Sequence, residues 1–101
     1  YPQAFLALNQ GKVAAVTTDE SILAGILAKA PNRDQFEIPP IQISEEPYGL
    51  GVRKGEAALL KAVNDTLLEM EADGRAKAIH DRWFGPGSDT PMPRAFVIFP
   101  D

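Results

Sequence analysis

A chain of 101 residues suffices for one small domain with a modest core. Its net charge of −4 argues against a nucleic-acid or anionic-membrane partner, because both require a basic face. Cysteine is absent, which removes disulfides, thiolate catalysis and zinc–cysteine sites, and no apolar run approaches the ~20 residues of a membrane span. The sequence opens on Tyr1-Pro2-Gln3 rather than a translation start and carries no signal-peptide pattern. The expectation is therefore a chain that begins after processing or cleavage.

Residues 2–10 read as a short helix, with Pro2 suited to a first turn, Phe5, Leu6 and Leu8 as apolar contacts, and Asn9-Gln10-Gly11 as a stop. Residues 13–16 are four apolar residues in a row, as in a strand buried on both faces of a parallel sheet. The next helix is predicted over residues 21–30, where Ile22, Leu23, Ile26 and Leu27 recur at helical spacing. Thr17 and Glu20 match a capping box, and Thr18 or Asp19 equally suits the N-cap. Residues 36–43 are extended but interrupted by Pro39-Pro40, so they form an edge strand or a crossing segment. Residues 48–52 read as a second strand with close backbone approach at Gly49 and Gly51.

Residues 56–73 carry the clearest pattern. Leu59, Leu60, Val63, Leu67 and Met70 make one stripe, Glu56 favours the amino end, and Gly74 supplies the residue past the carboxyl end. A second helix over residues 75–83 places Ile79 and Trp83 on one face, and Trp83 and Phe84 are expected core anchors. The apolar residues 95–99 suit a last strand after a proline-rich tail. The fold class is thus α/β. Three short strands make an incomplete sheet, and the first helix lacks its strand, as in the back part of a larger protein.

An acid at the carboxyl end of a strand, at the mouth of a helix, is where open α/β sheets place ligand-binding groups and also where helices place caps. Asp19 suits both. Glu45 and Glu46 are adjacent on an extended segment and point apart, so they do not form an acid–base pair. His80, the only histidine, has no second ligand-type residue at helical spacing and reads as a surface residue. No catalytic, metal-binding or phosphate-loop constellation is present, Gly49-x-Gly51 alone being too weak, and no cofactor is expected.

The segment from Ala7 to Asp19 resembles the aLxxGxvDAvvxD segment of the polar amino-acid-binding proteins of bacterial ABC importers, the family 3 extracellular solute-binding proteins. Glu46-Pro47-Tyr48-Gly49-Leu50-Gly51-Val52-Arg53-Lys54-Gly55 resembles their epyGiavrKG segment. Leu59 to Asn64, Gly74 and Arg82-Trp83-Phe84-Gly85 resemble the helix pair that ends in kWfG. Ala14 departs from the pattern, where the family often has Asp.

The resemblance implies a type II periplasmic-binding-protein fold: two α/β lobes joined by crossing strands, with an amino acid clamped between them. Residues 1–44 would be the carboxyl-terminal part of lobe 2, and residues 41–48 the return crossing, with Ile41, Ser44, Pro47 and Tyr48 at the hinge. Residues 48–101 would be the carboxyl-terminal part of lobe 1, with the helix pair and tail. Asp19 then receives the ligand α-ammonium, with Thr17 and Thr18 as further contacts, while the groups that grip the α-carboxylate lie upstream. It further implies a non-enzymatic, periplasmic or extracytoplasmic protein that delivers its amino acid to an ABC permease. Two other readings stand beside it. One is a sensor domain of a membrane receptor kinase or a regulatory domain of a lytic transglycosylase. The other is a small α/β interaction domain.

Overall fold

Pro2 opens the first helix, α1 (Pro2–Asn9), at a position whose missing N–H has no intrahelical partner to lose. The helix ends where Gly11 turns to a φ of 74°. There the N–H of Gly11 donates to the Leu8 carbonyl at 3.0 Å and that of Lys12 to the Ala7 carbonyl at 2.9 Å, the paired bonds of a Schellman stop. These elements come from a computed structural model that describes residues 1–99, in which the chain divides into two units, Tyr1–Ile41 and a second starting at Gln42.

In the first unit α2 (Glu20–Lys29) follows an irregular stretch, with Asp19 as its N-cap. The expected Thr17–Glu20 capping box is not formed. With Asp19 at the cap, Glu20 is the first helical residue, whereas the box needs its acid at the third. An unpredicted 3₁₀ turn (Arg33–Gln35) packs against α2. Asn32 beside it donates from Nδ2 to Oδ1 of Asn9 at 2.8 Å, and the rings of Phe5 and Phe36 lie 5.2 Å apart at 59°. These contacts draw α1, α2 and the 3₁₀ turn round one apolar cluster.

The second unit is built on a helical hairpin. Gly55 (φ 91°) turns the chain into α3 (Ala57–Ala72), which is capped by Glu56 and ends at Asp73. Gly74, at φ 87°, reverses it into α4 (Arg75–Phe84). Asp73 secures that reversal by accepting the Arg75 N–H at 3.0 Å and Arg75 Nε at 2.8 Å. The Arg75 N–H, and then the guanidinium, hold the Asp73 carboxyl below its usual range. The two helices pack against each other.

The expected strands are corrected here. Among the described residues there is no strand: residues 13–16, 36–43, 48–52 and 95–99 are irregular or extended. A strand exists only against a second backbone that satisfies its N–H and C=O groups. Among the described residues none of these segments forms a ladder with another, and Val13 and Leu50 are exposed. Periodicity registers a segment's preference for a sheet but not the presence of its neighbour.

The inward face of the hairpin also differs from expectation. Ile79 and Trp83 are exposed, Trp83 by 61%, so Trp83 is not a core anchor. The half-buried face of α4 is Ala76, His80 and Phe84, one residue further round. His80 is therefore not a surface residue; its ring lies 5.4 Å from that of Phe84. On α3, Val63, Leu67 and Met70 are half-buried while Leu59 and Leu60 are exposed, so three of the five residues of the predicted stripe are partly covered.

Candidate functional site

The candidate ligand residues lie together on one turn of the first unit. Asp19 sits at φ −56° and ψ 138°, outside the helix, and its carbonyl accepts the first intrahelical bonds from the N–H groups of Ile22 (3.0 Å) and Leu23 (3.1 Å). Its carboxylate makes no capping bond to α2. Thr18 and Asp19 are half-buried and Thr17 is exposed. The sequence produces this arrangement locally: the apolar run stops at Val16, and the apolar helical pattern begins at Ile22. Asp19 and Glu20 therefore stand at the positive end of the α2 dipole, which favours anionic side chains. A carboxylate held there has the chemistry to receive a desolvated ammonium through a charge-assisted hydrogen bond.

Beside this turn lies an apolar cavity of about 90 Å³, lined among others by Phe5, Leu8, Val16, Leu23, Leu27 and Phe36. It is well below the ~300–1,000 Å³ of ordinary ligand pockets and lacks their converging polar groups. It is a half-open gap in the apolar cluster.

The expected hinge residues are placed as follows. Ile41 closes the first unit with its side chain exposed. Ser44, Pro47 and Tyr48 lie on the irregular start of the second, all exposed, and Ser44 Oγ donates to Glu46 Oε1 at 2.9 Å. Among the described residues, no three His, Cys, Asp or Glu side chains form a group able to hold a metal ion, and no helix is long and apolar enough to cross a membrane.

Sequence reasoning missed one constellation. Glu71, at the end of α3, accepts both terminal nitrogens of Arg94: Nη1 on Oε1 at 2.7 Å, and Nη2 on Oε2. Oε2 also accepts the Ile98 N–H at 2.9 Å. The side chains of Glu71 and Arg94 are only 20% and 23% exposed. The Arg94 fork, with the Ile98 N–H, holds the Glu71 carboxyl down at about 2. The available signal was a lone arginine in a proline-rich tail.

The sequence profile of the bacterial extracellular solute-binding proteins, family 3, matches residues 2–86. An ABC transporter glutamine-binding protein of Bacillus subtilis is 39% identical over 83 residues, which are 82% of this chain and 29% of that protein. An L-glutamate/L-aspartate-binding protein of Pseudomonas aeruginosa is 35% identical over 81% of this chain and 27% of its own length. An L-cystine-binding protein of Escherichia coli is 32% identical over 83% of this chain and 31% of its own. The chain thus spans less than a third of the length of these relatives. No solved structure matches it. With its match running through both units, from α1 past Gly85, the chain belongs to the bacterial extracellular solute-binding proteins of family 3, whose fold is that of the periplasmic binding proteins.

Proposed function

We propose that these residues are the carboxyl-terminal portion of an amino-acid-binding protein of an ABC importer. In that reading residues 1–44 end lobe 2, residues 41–48 are the return crossing, and the α3–α4 hairpin belongs to lobe 1. The protein closes its lobes on a polar amino acid in the periplasm or another extracytoplasmic space and hands it to a permease. Ile41, Ser44, Pro47 and Tyr48 absorb the backbone change of closure. Asp19 receives the ligand α-ammonium, with Thr17 and Thr18 beside it. It is a binding protein, not an enzyme.

The observation that carries this reading is the match of residues 2–86 to the family, together with amino-acid-binding relatives in each similarity named above. The position of Asp19 at the amino end of α2 supplies the chemistry.

The test is isothermal titration with a panel of amino acids, on the 101 residues alone and on the full polypeptide that contains them. The full protein should bind, and Asp19→Asn should weaken binding by on the order of 2–5 kcal/mol, as when one partner of a buried charge pair is removed. The 101 residues alone should bind at most very weakly, because the partner for the ligand carboxylate lies outside them. Unchanged affinity in Asp19→Asn refutes the ammonium role, and micromolar binding by the isolated chain refutes the division between lobes.

A further inference from the structure

The family match ends at residue 86, yet the chain beyond it is bound back onto the hairpin at two separate places. The first is the end of α4. A helix leaves its last carbonyls without intrahelical donors, and an exposed tail would leave them to water. Here Thr90 Oγ1 donates to the Trp83 carbonyl at 3.0 Å and the Met92 N–H to the Phe84 carbonyl at 2.9 Å. Ser88 donates to the Gly85 carbonyl from both its N–H (3.0 Å) and its Oγ (2.7 Å). The second is the end of α3, where Glu71 takes the Arg94 fork and the Ile98 N–H. The bonds from Glu71 first, and more weakly the charge of Asp81 on α4, favour the charged form of Arg94. Pro86, Pro91 and Pro93 stiffen the path between these anchors.

We propose that residues 88–98 are a strap closed over the α3–α4 hairpin, and that the Glu71–Arg94 pair is its latch. The latch holds the extended apolar segment 95–98, and the contacts at the α4 terminus hold the start of the strap independently. Opening is therefore stepwise. Loss of the latch frees the distal half while the proximal half stays in place.

Amide hydrogen exchange and limited chymotrypsin cleavage after Phe96, on the full polypeptide, separate these steps. Phe96 is 58% exposed, but cleavage needs its backbone to open. In Glu71→Gln, exchange at the Ile98 amide and cleavage after Phe96 should both rise at least about tenfold, the size expected for losing charge-assisted bonds. The Met92 amide should keep its protection. Arg94→Gln, which alters no helix, should release Phe96 in the same way. Unchanged Ile98 exchange in both single variants overturns the latch. Equal loss of protection at Met92 and Ile98 overturns the stepwise strap, since both halves then open together.

Discussion

Gly85 turns the chain at the end of α4 and is buried. Its φ of −70° is open to any residue, so conformational freedom does not explain the glycine. Contact does. A Cβ placed there meets the Asp81 carbonyl oxygen at 2.2 Å, its carbon at 3.1 Å and its Cα at 3.3 Å. All three are backbone atoms of α4, so no rotamer change relieves them. Gly85→Ala must push the turn away from that oxygen by roughly 1 Å or more to reach ordinary van der Waals separation. That movement breaks the Gly85 N–H bond to Asp81 O, now 2.8 Å, and disturbs the two Ser88 bonds to the Gly85 carbonyl. Overpacking at about 1–3 kcal/mol and a lost hydrogen bond at about 0.5–1.5 kcal/mol give a cost of about 2–4 kcal/mol. Gly87 is the control: a Cβ there meets nothing within 4 Å. Gly87→Ala should be neutral or should stabilise by up to ~1 kcal/mol through the unfolded chain. Urea unfolding followed by far-ultraviolet circular dichroism, with fluorescence of the neighbouring Trp83 as a local probe, compares the two. Coincident midpoints for both variants would refute the contact argument, and with it the physical account of the glycine in the Trp83-Phe84-Gly85 sequence.

Gly74→Ala acts through torsion instead, because φ is 87° and open space surrounds the position; it should cost about 1–2 kcal/mol, the left-handed penalty of an L-residue, in the same unfolding assay. Glu71 gives a pH signature. Its carboxyl is held at about 2 in the folded chain, against an ordinary value of 4.5. A depressed folded pKa means that the latch contributes fully above the unfolded value and is lost as pH falls through the folded one. Protection of the Ile98 amide, relative to its intrinsic exchange rate, should therefore be flat from neutrality to about pH 5 and fall between there and pH 2. Carbon NMR of the Glu71 carboxyl should show the same low midpoint, and a midpoint near 4.5 contradicts the bidentate geometry.

What the sequence made legible was what local chemistry decides. Pro2, Gly11, Glu56 and Gly74 mark helix ends, and all four helices lie within two residues of their predicted bounds. The position of Asp19 at the mouth of α2 was legible for the same reason. What stayed hidden depends on a neighbour. On α4 two sets of residues recur at four-residue spacing, Ile79 with Trp83 and Ala76 with His80 and Phe84. Hydrophobicity favoured the first, while the approach of α3 selects the second. Glu71 and Arg94 stand 23 residues apart with no periodic relation, so nothing in the sequence couples them.

The same division explains the uncovered surface. Helices satisfy most of their backbone hydrogen bonds within their own segment. The extended segments have no such self-sufficiency, and they carry many of the most exposed apolar side chains: Ile41 (78%), Ile43 (83%), Tyr48 (78%) and Leu50 (64%). Among the described residues Ala30 alone is a buried hydrophobic residue. Extended backbone outside any sheet, with exposed apolar side chains along it, is what a sheet with its neighbouring strands removed would leave. On the proposed partial-lobe reading, the amides of residues 13–16 and 49–52 exchange near the intrinsic rate in the 101 residues alone and become strongly protected in the full polypeptide. The helical amides of α3 near Val63 and Leu67 should change far less, since their bonds lie within the helix. Protection of the two extended segments in the isolated chain, equal to that in the full protein, would mean that they already have partners here, and the lobe assignment would fall with it.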